Sequence, residues 1–151
     1  MIEYAYDNNG NIISISDGNG LIKNFTYDSL NRNTSFTDSD GTIIYYTYDE
    51  MGNLISQKNP DNSIISLLYD NAYRLTNKSY PDGTSVNYTY DSVDNPMNIS
   101  FSFGNYTLTF DALNRLSSMK DLFNLTTSFT YTSLSSISNE TTPFSSTSYS
   151  Y

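Results

Sequence analysis

Apolar and polar residues alternate in short segments of this chain, and the segments return at a nearly constant distance. Each segment usually ends on an aromatic or aliphatic residue, a spacer and then Tyr or Phe, mostly followed by Asp. A fixed period of this size is typical of a repeat array, in which no unit can bury its apolar side alone. The recurring residues, separated by 21 positions or by 20 at the steps to Phe110 and Tyr151, are predicted as the structural core of the repeats: Tyr6, Tyr27, Tyr48, Tyr69, Tyr90, Phe110, Tyr131 and Tyr151.

The alternation predicts β-strands. In one repeat Ile44, Tyr46 and Tyr48 share one side, and Tyr45 and Thr47 lie between them. Such alternation of aromatic and β-branched residues predicts a strand with one buried face. A second strand follows the tyrosine after a tight connection, as in residues 52–56. Helices are not predicted, because Pro, Gly, Asn and β-branched residues interrupt every window.

Turn residues recur at two phases of the repeat. Segments 18–20, 38–41, 60–62 and 81–83 combine Gly, Asn, Asp and Pro, which suit tight turns. The other phase begins with an aspartate whose carboxylate is expected to accept backbone N–H bonds two residues on. These predicted turn-capping residues are Asp7, Asp28, Asp49, Asp70, Asp91 and Asp111. The predicted fold class is therefore all-β: tandem β-hairpins of about 21 residues that form a spiralling or solenoid-like antiparallel sheet.

Composition favours a scaffold over a catalyst. The chain has no His, Cys or Trp, so imidazole bases, thiol nucleophiles, disulfides and the usual transition-metal ligands are missing, and we expect no enzyme activity. The net charge is −9 and the pI is near 4.1, which argues against nucleic acid as a partner. No stretch could span a bilayer, so membrane insertion is not expected. A disordered polar tract is the alternative, but aromatic residues at fixed phase oppose it.

The repeat motif resembles the YD repeat of the rearrangement-hotspot (RHS) family. The motif is Tyr-Asp, two residues, Gly or Asn, Asn or Arg, then Leu or Ile. Some 14 residues later the next aromatic-x-Tyr-Asp sequence ends the repeat. The resemblance covers nearly the whole chain, and the best copies are residues 48–54 and 110–116. It implies hairpins wound into a spiralling sheet, in large surface or secreted proteins. In known examples the sheet is a hollow shell around a toxin, or part of the cell-adhesion teneurins, and carbohydrate binding has been suspected.

The chain departs from that family at its ends. The autocleaving core domain that follows the repeats of toxin shells has no counterpart in residues 1–151, so a protease role does not carry over. The repeat at 131–151 is degenerate, since Thr132 stands where Asp is expected. We expect a single array of about seven repeats that starts and ends in mid-array. Uncapped sheet edges pair readily with other strands, which favours end-to-end assembly.

Asn-x-Ser/Thr sequons point to an extracellular or cell-surface setting. Their number is only mildly above chance in a chain so rich in Asn, Ser and Thr, and no secretion signal is evident. The candidate N-glycosylation sites are Asn24, Asn33, Asn77, Asn87, Asn98, Asn105, Asn124 and Asn139. Apart from such glycans no cofactor is expected. The aspartate series could form a calcium ladder, but turn capping explains it with fewer assumptions.

Three functions remain open at this stage. The leading hypothesis is a non-catalytic extracellular scaffold that assembles end to end into a surface fibre or sheath, with itself as partner. The first alternative is a wall segment of a larger RHS shell that encloses a toxin or other cargo. The second alternative is a carbohydrate-binding adhesion module, in which exposed Tyr side chains stack on sugars.

Overall fold

A computed structural model describes residues 1–150, so the prediction for Tyr151 lies outside the described residues. The described chain forms strands and turns without helix. Its fifteen strands are β1 (Ile2–Tyr6), β2 (Ile12–Asp17), β3 (Ile22–Tyr27), β4 (Asn33–Thr37), β5 (Ile43–Tyr48), β6 (Leu54–Lys58), β7 (Ile64–Tyr69), β8 (Leu75–Ser79), β9 (Ser85–Tyr90), β10 (Pro96–Phe101), β11 (Gly104–Phe110), β12 (Leu116–Lys120), β13 (Thr126–Tyr131), β14 (Ile137–Thr141) and β15 (Ser146–Ser148).

The strands belong to two compact units. The first comprises Met1–Gly83 and the second begins at Thr84. In the first unit β1 to β8 lie side by side in chain order, each antiparallel to its neighbours. In the second unit β9 to β15 do the same. The predicted all-β class of tandem antiparallel hairpins is confirmed, whereas the organisation as one array stays a prediction.

Loops at both ends of the strands use one turn. In the loop at 28–32, which follows a recurring tyrosine, Asp28 N donates to the carbonyl of Arg32 and Asn31 N donates to the carbonyl of Asp28, each at 3.0 Å. The loop at 38–42 repeats both bonds at 2.9 Å. The fourth residue has positive φ, 60° at Asn31 and 85° at Gly41, as expected for a type I turn followed by a left-handed residue. We call the loops after the recurring aromatic residues the YD loops and the others the second loops.

A β-bulge lies beside the recurring tyrosine. Tyr27 pairs with Asn33 and Thr26 pairs with Ser35, so Thr34 is an extra residue. The same shift occurs at the equivalent place in β1, β5, β7, β11 and β13. A bulge bends its strand and increases the local twist, so one bend per repeat is built into the hairpins.

The tyrosine face of each unit is half-buried rather than buried, which corrects the expectation of a strand with one buried face. Among the described residues only Val86 at 9% and Ser35 at 8% exposure are classed as buried. The reason is that, within each unit, a described strand contacts only the strands next to it in chain order. A single layer has nothing stacked on either face, so side chains are covered only by their neighbours in the sheet.

The opposite face is a polar ladder of Ser, Thr and Asn. The hydroxyl of Thr26 lies 2.6 Å from that of Ser35, and Thr109 lies 2.7 Å from Ser118. Cross-strand hydroxyl pairs of this kind contribute roughly 0.2–1 kcal/mol each. The two faces therefore differ in chemistry as well as in burial: one is aromatic and aliphatic, the other hydrogen-bonded and hydrophilic.

Candidate functional site

The recurring tyrosine joins one repeat to the repeat before it. Tyr48 in β5 donates its hydroxyl hydrogen to the backbone carbonyl of Asn33, the first residue of β4, at 2.8 Å. The same bond spans 15 residues at Tyr27 to Ile12 (2.8 Å), Tyr69 to Leu54 (3.0 Å) and Tyr131 to Leu116 (2.7 Å). The accepting carbonyl lies beside the bulge, where the strand ladder is interrupted. The tyrosine thus contributes apolar ring surface and a directed polar bond, which explains why Tyr rather than Phe recurs.

Burial and chemistry vary along the tyrosine series. Tyr6 in β1 is 56% exposed, more than the core residue expected there. Tyr90 is half-buried, and Phe110 is half-buried but has no hydroxyl to donate. Burial raises the pKa of the Tyr48 and Tyr69 hydroxyls, so both stay protonated donors at neutral pH.

Each YD loop is organised around its aspartate. The Oδ1 atom of Asp28 accepts the backbone N–H groups of Leu30 at 2.9 Å and of Arg32 at 3.0 Å. The carboxylates of Asp7, Asp49, Asp70, Asp91 and Asp111 accept the same two bonds in their own loops. In the degenerate repeat the hydroxyl of Thr132 takes these positions at 3.3 Å. Charge-assisted bonds are the stronger kind, so the last YD loop is the more weakly capped.

Two second loops carry the same cap, which the sequence reasoning missed. Asp17 accepts the backbone N–H groups of Asn19 and Leu21, and Asp121 accepts those of Phe123 and Leu125. The signal that could have found them is an Asp five residues before the first residue of the next strand, as in the YD loops.

Hydrogen bonds hold the aspartates in their charged form. The pKa of Asp28 is lowered chiefly by the backbone N–H of Arg32, and that of Asp111 chiefly by the side chain of Arg115. The pKa values of the Asp7 and Asp49 carboxyls are lowered chiefly by hydrogen bonds from the Asn11 and Asn53 side chains. The pKa of Asp70 is lowered chiefly by the backbone N–H of Arg74.

An arginine at the end of alternate YD loops ties three groups together. Arg32 Nε lies 2.7 Å from Asp28 Oδ2, its Nη1 donates to the carbonyl of Asp49 at 2.8 Å, and its guanidinium lies 4.9 Å from the Tyr48 ring centroid. Arg115 repeats the arrangement with the Asp111 carboxylate at 2.7 Å, the Tyr131 ring at 4.4 Å and the Thr132 carbonyl at 3.4 Å. We call this set the arginine clamp; it fixes one YD loop against the tyrosine of the following repeat.

Asparagine occupies the same place in the intervening repeats. Asn11 Nδ2 donates to Asp7 Oδ2 at 2.9 Å and to Asn31 Oδ1 in the next YD loop at 2.8 Å. Asn95 makes the equivalent pair of bonds to Asp91 at 2.9 Å and Asn114 at 3.3 Å. Polar side chains thus link one repeat to the next at Arg32 and Arg115 and also at Asn11 and Asn95.

Aromatic side chains line an open groove on the tyrosine face of the first unit. It has a volume of about 530 Å³. Its lining residues are Phe25, Tyr27, Asn33, Phe36, Tyr46, Tyr48 and Leu54. A second depression of about 410 Å³ lies on the other face, near Asp40, Tyr45 and Lys58. Side chains in both depressions could stack on a ligand and form hydrogen bonds with it.

Residues 1–150 hold no group of three or more His, Cys, Asp or Glu side chains placed to bind a metal ion. No helix long and apolar enough to cross a membrane occurs among the same residues.

The eight sequon asparagines differ in accessibility. Asn24, Asn87 and Asn105 are exposed on strands, and Asn124 is exposed in a second loop with a φ of 64°. The other four, Asn33, Asn77, Asn98 and Asn139, are half-buried. Asn33 donates to the carbonyls of Thr26 and Ser35. Attachment of a glycan to Asn33 would disrupt those bonds, so the four exposed asparagines are the better candidates.

Solved structures show the same fold. The Tc holotoxin pore of Photorhabdus luminescens, with a substituted TccC3, matches 98% of this chain with a TM-score of 0.77 at 18% identity. The TcdB2-TccC3-Cdc42 complex matches 98% at 19% identity, and TcdB2-TccC3 without its hypervariable C-terminal region matches 94% at 18% identity, both with a TM-score of 0.77. The chain spans only 9% of the length of each of these proteins.

Sequence comparison gives the family. None of the curated proteins matches the chain. The family model described as Teneurin YD-shell matches residues 1–103 and 34–151, which together cover the whole sequence. The chain therefore belongs to the teneurin YD-shell family.

Proposed function

We propose that this chain is a non-catalytic length of wall in a YD-repeat shell that encloses another polypeptide. The observation that carries the proposal is the likeness to the TccC3-containing structures, which extends over 98% of this chain but only 9% of that protein. A segment of that proportion corresponds to a stretch of wall rather than to a complete container.

The contacts between repeats suit a wall. The tyrosine bonds, the arginine clamp and the Asn11 to Asn31 bond all cross from one repeat to the next. They add side-chain restraints to the backbone ladder, so neighbouring hairpins are held at a defined angle. A wall that must keep its curvature needs such restraints, since a single-layer sheet has no second layer to fix its bend.

The shell is favoured over the surface fibre that the sequence first suggested. Both readings use stacked hairpins, but the solved relatives are components of multi-chain toxin complexes, which gives the shell support that the fibre lacks. The proposed partners are accordingly other proteins, including further repeats, rather than copies of this chain alone. An extracellular setting and N-glycosylation of exposed sequons remain parts of the proposal, as does carbohydrate binding as an alternative role.

Protease protection tests the proposal. The polypeptide that carries these repeats is purified from its source and digested under native conditions, before and after mild denaturant opens the sheet. We expect a copurifying or covalently continuous segment that resists protease until the sheet opens. The same digestion is then carried out on the combined Tyr27→Phe, Tyr48→Phe and Tyr69→Phe variant and on the matched control Tyr45→Phe. We expect the triple variant, but not the control, to expose the protected segment to protease at a lower denaturant concentration than wild type. A preparation in which every segment outside the repeats is cleaved at once would overturn the proposal.

A further inference from the structure

Two asparagines of the first unit are followed directly by glycine. They are Asn9 and Asn19, and no other asparagine of the sequence precedes a glycine. Glycine has no side chain to shield its backbone nitrogen, and its backbone moves more freely than that of other residues. That nitrogen can therefore approach the side-chain amide of the asparagine before it and react with it.

The reaction is deamidation, and it needs only water. The glycine nitrogen loses its proton and forms a bond to Cγ of the asparagine, and the bond from Cγ to Nδ2 breaks, so that ammonia leaves. Water then opens the cyclic imide at either of its carbonyls. The product is aspartate or isoaspartate, which carries a negative charge where the amide was neutral, and no oxidant or reductant takes part.

The two Asn-Gly pairs lie in the same kind of turn. One is in the YD loop at 7–11 and the other in the second loop at 17–21, and both asparagines are exposed. In each loop the glycine N–H donates to the carbonyl of the first aspartate, at 3.1 and 3.2 Å. The φ angle is 85° at Gly10 and 86° at Gly20, and a Cβ added to either glycine would meet nothing within 4 Å. The backbone therefore does not distinguish the two sites.

The side chains of the two asparagines are held differently. Asn9 Nδ2 donates to Asn31 Oδ1 in the YD loop of the next repeat, at 3.0 Å. Within residues 1–150 the Asn19 side chain contacts no other repeat, and its Nδ2 lies 3.5 Å from Asp17 Oδ2, longer than a normal hydrogen bond. Ring closure requires the side chain to turn until Cγ meets the glycine nitrogen. Asn9 must break its bond to Asn31 to do so, whereas Asn19 has little to break.

We propose that Asn19 is a site of spontaneous deamidation in the folded protein, and that the bond from Asn9 to Asn31 protects the matching site in the YD loop. This proposal does not depend on the shell.

The protected site is the one where the reaction would separate two repeats. A carboxylate at position 9 would face Asn31 Oδ1, and two acceptors cannot share a hydrogen bond. A flipped Asn31 amide would pair with that carboxylate, but its own Nδ2 would then face the Asn11 Nδ2 donor. One bond between the repeats is lost either way. At Asn19 the new charge leaves the bonds between repeats in place.

Peptide mapping by mass spectrometry tests the proposal on the full polypeptide that carries these repeats. The native protein is kept in mildly alkaline buffer, and aspartate and isoaspartate at positions 9 and 19 are measured over time. Each rate is divided by the rate at the same position in urea, where both Asn-Gly pairs are unfolded. The net contribution of one hydrogen bond corresponds to a factor of roughly two to ten. The normalised rate at Asn19 should exceed that at Asn9 by about this factor.

Substitutions at Asn31 separate the effect of its bond from that of the loop itself. Asn31→Gly suits the φ of 60° and removes the acceptor, so Asn9 should then react as fast as Asn19. Asn31→Asp keeps an acceptor oxygen and should keep Asn9 protected. Asn114→Gly makes the same change in the second unit, where φ is 58°, and should leave Asn9 protected. The urea midpoint of each variant shows that it is folded.

Three results would each overturn the proposal. The first is an equal normalised rate at Asn9 and Asn19 in the wild-type protein. The second is a folded Asn31→Gly variant in which Asn9 still reacts slowly. The third is a native protein in which Asn19 stays unmodified while the unfolded chain reacts.

Discussion

Removing one hydroxyl tests whether the recurring tyrosine works by a directed bond or by ring burial alone. Tyr48→Phe keeps the ring, and with it the Arg32 guanidinium 4.9 Å away. It deletes only the 2.8 Å bond to the Asn33 carbonyl. A hydrogen bond of this kind contributes about 1 kcal/mol net, and the carbonyl left beside the bulge is half-buried, which raises the cost toward about 1.5 kcal/mol.

The effect should accumulate over repeats. The hydroxyls of Tyr27, Tyr48, Tyr69 and Tyr131 donate to four different carbonyls. The variant with all four changed to Phe should therefore lose about 4 kcal/mol of the free energy of unfolding. The assay is urea unfolding followed by circular dichroism, with a second probe to detect separate transitions, since repeat proteins need not unfold in one step.

Two controls sharpen the test. Tyr45→Phe, on the opposite face, should change the free energy of unfolding little, because its ring is 48% exposed. Phe110→Tyr is the converse change and should gain up to about 1 kcal/mol by donating to the Pro96 carbonyl, which holds the place of Asn33 in that repeat. A Tyr48→Phe variant within about 0.3 kcal/mol of wild type would refute the reasoning, since that lies below the smallest net value for such a bond.

Three further predictions follow from the loops. Tyr73, with a φ of 62°, is an aromatic residue in the left-handed region, so Tyr73→Gly should raise the free energy of unfolding by about 1 kcal/mol; a destabilised variant in thermal denaturation would contradict this. Arg32→Lys should cost about 1 kcal/mol, because an ammonium group cannot pair with Asp28, stack on Tyr48 and reach the Asp49 carbonyl together; Lys58→Arg is the control and should be neutral. The lowered pKa values of the YD-loop aspartates mean that the unfolded state binds more protons in acid. Their contribution is therefore full above about pH 4 and is lost as pH falls through their folded pKa values, so the urea midpoint should be flat from pH 7 to about pH 5 and drop below about pH 4; a midpoint unchanged at pH 3 would exclude this role.

Hairpins and loop phase could be predicted because their causes are local. Tyr48 and the Asp-x-x-Gly sequence that follows it are neighbours in the sequence. Tyr48, Asp49 and Gly52 therefore predict the end of a strand and the loop after it. The bulge beside Tyr48 was missed because Ile55 fits the strand pattern as well as its neighbours do. Only pairing with the adjacent strand shows that one residue is extra.

The side-chain contacts between repeats could not be predicted from the sequence. Nothing in Arg32 or Asp28 reveals that the guanidinium reaches the following Tyr48, because the relation depends on how the bulged hairpins turn against each other. The degree of burial was also misjudged, since the tyrosine face is half-buried and not buried. An apolar pattern predicts which face of a strand is the more buried, whereas the extent of burial depends on what packs against that face.

Direct imaging of the particle tests the central claim that these repeats form the wall of an enclosing shell. Electron microscopy of the full polypeptide that carries them should show closed, hollow particles with density inside. Filaments, or open strips with no interior, would contradict the account.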